Sequence, residues 1–260
     1  MKFKTLSSGS KGNSSIVICG NITLLIDAGI SFLSLKTSLN SLGKKIDDIT
    51  GILITHCHKD HTKGLSTIIK NTSLKVLIPE KMYPELKELV PKNRVIFIKD
   101  NNKLLDVNIK LIHTSHDVEC SVGYIIEYQN KSLVYITDTG YLSRRVLSSI
   151  TNKNIYLIES NHDEEMLMNG PYPPFLKQRV ISDKGHLSNR VTAEYLKEVV
   201  GNETKYILLA HLSEKNNTEE LALNTTRKTL KNRKIDLIVA RQDEESKLIE
   251  VWYDQNNMYR

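Results

Sequence analysis

The sequence predicts one α/β domain, with sheets inside and helices outside. Three observations carry this. The chain begins β-rich, with short apolar runs separated by turn residues. Strand-like runs then alternate with segments of helical period. That order occurs twice, with no Pro/Gly/Ser-rich linker between the halves. A chain of 260 residues can bury a sizeable core, and 1–260 is expected to form a single domain.

The elements follow in order. Lys2–Leu6 is a short mixed strand, and the Ser/Gly segment from Ser7 to Ser14 is a tight polar loop. Ser15–Cys19 and Ile22–Ile26 are strands joined by a Gly20-Asn21 hairpin turn. Ser31 caps a helix whose apolar face is Phe32, Leu35, Leu39 and Leu42, and Gly43 ends it. Gly51–Ile54 is a buried strand running into a histidine-rich segment, beyond which Leu65 and Ile69 mark a helix. Lys75–Ile78 is a strand, and Met82, Leu86 and Leu89 share a helical face after Pro79. Arg94–Ile98, Asn108–Ile112, Val122–Tyr128 and Leu133–Ile136 are strands, the last two joined by a turn at Asn130-Lys131. Leu142–Ile150 has helical period and Ile155–Ile158 is a buried strand. Short helices at Asp163–Met168 and Phe175–Ile181 flank the prolines between 171 and 174. Val191, Tyr195, Leu196 and Val199 form one helical face. Tyr206–Leu209 is a strand, Glu219–Leu230 a helix, and Leu237–Ala240 and Leu248–Trp252 are the last strands.

Composition excludes several classes. Apolar residues are 40% and charged residues 25%, ordinary for a globular protein and unlike a disordered one. No apolar run reaches the roughly 18 residues of a membrane span, and the N-terminus lacks the apolar core of a signal peptide. Three scattered cysteines, Cys19, Cys57 and Cys120, cannot make a disulfide framework. A reduced, cytoplasmic setting is expected, with no membrane and no protein partner evident. The net charge of +6 permits a polyanionic partner without requiring one. The densest basic stretch, Arg227–Lys234, reads as a solvated helix end beside the negative end of the helix dipole.

The informative count is eight histidines. Thr55-His56-Cys57-His58-Lys59-Asp60-His61 follows a buried strand and packs four candidate ligands together. Imidazole and carboxylate suit zinc, manganese or iron. Extended backbone turns His56 and His58 to the same side and Cys57 away from them. Asp60 and His61 fall where the loop enters the next helix. Two close ligand pairs can serve two ions.

His56-x-His58-x-Asp60-His61 resembles the signature of the metallo-β-lactamase-fold hydrolases. Four further segments resemble that superfamily's other motifs, in order: Leu25-Ile26-Asp27-Ala28-Gly29, His116-Asp117, Ile136-Thr137-Asp138-Thr139-Gly140 and Leu209-Ala210-His211-Leu212-Ser213. The resemblance implies a four-layer αββα sandwich with two divalent ions at one edge of the sheets. One ion would take His56, His58 and His116. The other would take Asp60, His61 and His211. Asp138 would bridge them, and Asp27 would orient ligands from behind. His113 is left as a strand residue, and Cys57 and Cys120 as packing residues.

Two segments narrow the choice. Glu159 at a strand end and His186 opening a later helix resemble the acid–histidine pair of RNase Z-like nucleases. A carboxylate keeps such a histidine protonated, so that it can donate to phosphate, and the helix N-terminus beside it suits anions. His162 reads as structural. Together with Ser8-Gly9-Ser10-Lys11-Gly12-Asn13-Ser14 and His211-Leu212-Ser213-Glu214-Lys215-Asn216-Asn217, these segments resemble the YycJ/WalJ family of bacterial metallohydrolases.

That resemblance implies two-metal phosphodiester hydrolysis, with nucleic acid as substrate and 5′-to-3′ exonuclease action on DNA, RNA being the second choice. Asp60 would orient the attacking water, and His186, held by Glu159, would serve the departing oxygen. Ser10, Asn13 and Arg190 would contact substrate, with Lys177, Arg179 and Lys184 as further backbone contacts. The stretch between Asp138 and His211 is too short for a β-CASP insertion, and no tRNA-gripping arm is visible, so the site is expected to be open. The alternatives are a small cyclic-phosphate phosphodiesterase, a thioesterase, a β-lactamase, or a regulatory metal-containing binding protein linked to cell-wall signalling.

Overall fold

The computed structural model describes residues 1–231 and 233–252. The first half contributes β1 (Lys2–Ser7), β2 (Ser14–Cys19), β3 (Ile22–Ile26), α1 (Phe32–Ser41), β4 (Gly51–Leu53), α2 (Lys59–Thr62), α3 (Leu65–Asn71), β5 (Val76–Pro79), α4 (Tyr83–Leu86) and β6 (Val95–Ile98). The second contributes β7 (Asn101–Leu104), β8 (Val107–His113), β9 (Val122–Tyr128), β10 (Lys131–Ile136), α5 (Arg144–Ser149), β11 (Ile155–Glu159), α6 (Glu164–Asn169), α7 (Pro174–Ile181), α8 (Asn189–Val199), β12 (Tyr206–Ala210), α9 (Glu219–Leu230) and β13 (Asp236–Val239). Then β14 (Ile249–Glu250) returns to the first sheet.

The two seven-stranded sheets run β14-β1-β2-β3-β4-β5-β6 and β13-β12-β11-β10-β9-β8-β7. Each begins as an antiparallel meander and becomes parallel. In the first sheet the change falls at β3–β4, in the second at β10–β11. The parallel strands are apolar on both faces, which is what burial between layers requires.

Their alternation shows the layering. Leu133, Tyr135, Ile155, Leu157, Leu208 and Ala210 join a core continuous with β1–β6. The intervening Val134, Ile136, Tyr156, Ile158, Ile207 and Leu209 pack in a second core with residues of α5, α8 and α9. Phe3 meets Tyr135 edge-on across the sheets, with centroids 6.4 Å apart. The arrangement is the four-layer αββα sandwich.

Most elements fall where hydrophobic period and caps place them. Ser31 Oγ accepts from the Ser34 amide at the start of α1, and Gly43 follows in a left-handed conformation (φ +66°). There are five differences. The helix expected to carry Met82, Leu86 and Leu89 is only the turn Tyr83–Leu86, with Met82 before it and Leu89 beyond it. β7 was not expected, because Asn101-Asn102-Lys103-Leu104 is a polar edge strand with no apolar alternation. The β9–β10 turn lies at Gln129-Asn130, one residue earlier than expected, with both residues at positive φ. The expected helix from Leu142 starts only at Arg144, because Ser143 caps it. The final strand is only Ile249–Glu250.

The parallel strands bring the site together. Successive parallel strands end on the same edge, where an α/β sheet offers its ligand crevice. Asp27 follows β3, His56 lies just beyond β4, and Asp138 lies beyond β10. Glu159 ends β11 and His211 follows β12.

Candidate metal centre

Three of these residues turn the chain sharply. Asp27 (φ +60°), Asp138 (+51°) and His211 (+56°) are all left-handed. Such conformations cost of order 1–3 kcal/mol each and persist only where the surroundings over-determine them. Here the strand ends and the hydrogen bonds below supply that constraint.

Asp27 is fully buried. It accepts from the Thr55 amide at 2.8 Å and from the Thr55 hydroxyl at 2.9 Å. His61 Nδ1 donates to Oδ2, the oxygen that the hydroxyl also reaches, at 2.8 Å. The ring of His61 is thereby oriented, with Nε2 turned into the site. Asp27 thus lies behind His61, one of the expected ligands.

Two trios of donor atoms lie side by side. Those of His56, His58 and His116 fall within 4.8 Å of one another, as do those of Asp60, His61 and His211. Asp138 lies between them. Its Oδ2 is 3.2 Å from His61 Nε2, and its Oδ1 is 3.3 Å from His211 and 3.9 Å from His116. The seven expected ligands therefore share one site. Its edge includes Asp117, whose carboxylate is 3.3 Å from His116 and pairs with Arg179.

The residues fit divalent cations. His56 Nε2, His116 Nδ1, Asp138 Oδ2 and His211 Nε2 are buried with no hydrogen-bond partner, a state that buried polar atoms rarely keep unless something binds them. Burial and neighbouring histidines hold the His56 ring well below its ordinary pKa, and burial also lowers His116. Both are thus neutral imidazoles, the form that binds metal. Burial raises Asp138, but the facing His211 and His61 outweigh it and keep it a carboxylate.

Glu159 has a larger part than expected. Its Oε1 accepts from His186 Nδ1 at 2.7 Å and also from His211 Nδ1 at 2.9 Å. Its Oε2 accepts from the amides of Leu187 and Thr139 at 3.1 and 3.0 Å. Burial works against its charge, yet these partners bring its pKa down to about 2. Both rings are left with Nε2 free. Burial pulls the pKa of His186 down, and the Glu159 carboxylate more than reverses that.

The remaining expected site residues divide. Ser10 lines the open cleft above the histidines, together with Lys184. Asn13 does not face substrate. It is 1% exposed, and its Oδ1 accepts from the Gly9 amide at 2.9 Å. That fixes its Nδ2 against Gly9 O, Asp60 Oδ2 (3.0 Å) and His61 Nε2 (2.9 Å). Asn13 is a positioning residue for two expected ligands. The loop comes this close because Gly29 has no side chain; a Cβ there would lie 1.7 Å from Asp60 O.

Arg190 is engaged by Glu164 and Glu194 at 2.9 and 3.1 Å and lines a separate hollow behind His186. Lys177 donates to Met168 O. Several amides around the start of α8 are already engaged. Around it His186 N binds Val180 O, Leu187 N binds Glu159, Asn189 N binds His162 O, and Val191 N binds the Ser188 cap. His113 is exposed at the end of β8 beside Asp100, and Cys57 Sγ donates to Glu85, away from the site.

Sequence reasoning did not single out the buried polar lattice behind Glu159. Ser160 donates to Asn189 at 2.6 Å, Asn189 to Asn217 at 2.8 Å, and Asn217 to Ser160 O at 2.8 Å. Asn161 donates to His211 O at 2.8 Å. The lattice ties the strand ends of β11 and β12 to α8. Its only sequence signal was an unusual set of Asn residues beside the motif histidines.

The profile of the Beta-lactamase superfamily domain matches residues 23–211. "Exodeoxyribonuclease YycJ" of Bacillus anthracis is 38% identical over 85% of this chain and 86% of its own. "Exodeoxyribonuclease WalJ" of Streptococcus pneumoniae serotype 2 (strain D39 / NCTC 7466) is 38% identical over 85% of both chains. Among solved structures, the metallo-β-lactamase fold protein YhfI from Bacillus subtilis superposes with a TM-score of 0.71 at 16% identity, over 94% of this chain and 99% of that one. With its motif residues gathered at one sheet edge, the chain belongs to the β-lactamase superfamily and, within it, to the family of the YycJ and WalJ exodeoxyribonucleases.

Proposed function

We propose that the chain is a dinuclear metal-dependent nuclease, acting on DNA as a 5′-to-3′ exonuclease. The observation that carries this is the Glu159–His186 pair standing beside two complete donor trios. Hydrolysis at the ions alone requires no such pair, whereas a phosphodiester has a departing oxygen that needs a proton. The relatives support a nuclease.

In this reading His56, His58 and His116 hold one ion, Asp60, His61 and His211 the other, and Asp138 serves both. The donor set suits zinc or manganese, and iron as well. Such ions polarise a phosphoryl oxygen and lower the pKa of water. Asp27 keeps His61 in the tautomer with a free Nε2. Asn13 holds Asp60, whose carboxylate orients the attacking water. Glu159 holds the Nδ1 proton of His186, so that Nε2–H points to the cleft and donates to the departing oxygen. The same carboxylate fixes His211. Ser10 supplies a hydroxyl at the rim.

The test is an assay of purified, metal-analysed protein on 5′-phosphorylated single- and double-stranded DNA and RNA with Mn²⁺, beside a cyclic ribose phosphate. Release of nucleotides from the 5′ end of DNA is expected. Turnover of the cyclic compound alone would overturn the reading, and two bound metals with no turnover anywhere would favour a binding protein.

A further inference from the structure

The cleft over the metal centre has one apolar wall. Its floor is polar, made of His116, His186 and His211. The wall comes from the segment between β11 and α8, where Tyr172, just before α7, and Leu176, in its first turn, line the cavity. The cavity encloses about 270 Å³. Chemistry at a phosphate requires no such wall, and apolar surface beside a charged centre needs a reason.

The wall is rigidly joined to the chemistry. Pro171, Pro173 and Pro174 flank Tyr172 and fix the local φ angles. Lys177 ties α7 to α6 through Met168 O at 2.6 Å. The His186 amide donates to Val180 O of α7 at 2.8 Å. Gly185 makes that approach feasible, since a Cβ there would lie 2.1 Å from Val180 O. The aromatic ring therefore sits on the same rigid unit as His186.

The rim has cations to spare. Arg179 is taken up by Asp117 and Lys11 by Glu214. Lys184 and Lys215 also line the cleft, are exposed, and form no ion pair among the described residues.

We propose that this cleft is a subsite for one unpaired nucleobase, stacked on Tyr172 against Leu176, with the adjoining phosphates held by Lys184 and Lys215; this rests on the nuclease reading above. A single base can enter such a cleft only after leaving its pairing partner in the duplex. The substrate end is thus single-stranded or frayed. Stacking tolerates any base, because each has a π-face, so the subsite selects for strand state and not for sequence.

The test uses the metal-loaded full chain and short 5′-phosphorylated single strands. Strands protected by phosphorothioate report Kd by fluorescence anisotropy, and unprotected ones report cleavage. An intact strand is compared with strands lacking the base on either side of the scissile phosphate. The wild type is expected to bind the intact strand roughly 5- to 150-fold more tightly than one of the abasic strands. Tyr172→Ala narrows that gap to about twofold or less, whereas Tyr172→Phe, which keeps the ring, retains it. If Tyr172→Ala fails to fold, Tyr172→Leu makes the same comparison. No gap in the wild type, or a gap that survives loss of the ring, overturns the subsite. Cleavage without a gap leaves the nuclease reading standing and removes the subsite. A gap without cleavage does the reverse, and neither binding nor cleavage removes both.

Discussion

Replacing Asn13 by Ala tests the centre from behind. The side chain makes four contacts: from the Gly9 amide at 2.9 Å, to Gly9 O at 3.0 Å, to Asp60 Oδ2 at 3.0 Å and to His61 Nε2 at 2.9 Å. The first two are neutral and contribute about 0.5–1.5 kcal/mol each, and the third, to a carboxylate, about 1.5–3 kcal/mol. With water reaching part of the space, the loss is about 2–4 kcal/mol, a fall in Tm of roughly 5–15 °C. The more specific effect falls on metal. Residues that orient ligands typically govern a 10- to 100-fold range of affinity. Because Asn13 touches Asp60 and His61 and neither His58 nor His116, one of two ions should weaken by about that factor while the other is unchanged. Titration of metal-loaded protein with a competing chelator, with counting of the ions retained, resolves the two. Equal weakening of both ions would show a general loss of structure. Unchanged affinity of both would refute the argument that Asn13 holds the ligands.

Other outcomes follow from the same contacts. His186→Ala should lower kcat by about 10²–10⁴ with metal content intact, and loss of metal would sink its assignment. Glu159→Gln should lower kcat and also weaken the ion held by His211, because the amide has no charge and only one acceptor oxygen for two imidazole and two backbone N–H donors; an effect on kcat alone would refute the double role. Leu157→Ala, in the layer between the sheets, should cost about 2–5 kcal/mol in denaturant unfolding, and a cost under 1 kcal/mol would contradict the layering. Glu127 gives a pH-dependent case. Burial works against its charge, but Lys153 and Lys110, at 2.8 and 2.9 Å, hold its pKa below the ordinary glutamate value. Its contribution is therefore fully present above about pH 4.5 and is lost as pH falls through the lower, folded value. Glu127→Gln should cost about 0.5–1 kcal/mol at pH 7 and less at pH 3. An equal cost at both, from urea midpoints, would remove the electrostatic account.

The layers and the candidate ligands were legible in the sequence. Both are written in local order. Runs such as Ser132-Leu133-Val134-Tyr135-Ile136 are apolar on both faces and must lie between layers. His56, His58, Asp60 and His61 are neighbours in the chain, so their clustering needs no tertiary information. His116, Asp138 and His211 were found through resemblance, and their common position follows from parallel strands ending on one edge. The edge strand β7 escaped because a polar edge carries no period.

Which polar groups are already spent is visible only once the chain is folded. Asn13 and Ser10 look equivalent in the loop, yet one is buried against Asp60 and the other lines the cleft. Arg190 and Lys184 look equivalent as charges, yet Glu164 and Glu194 occupy the first. Glu159 serves two histidines because β11 and β12 run side by side, a fact that no spacing along the chain contains. A hydrogen bond is used once, and its partner is chosen by distance in space. Period and motif report where a residue must lie, while its role depends on which neighbours the fold brings within about 3 Å.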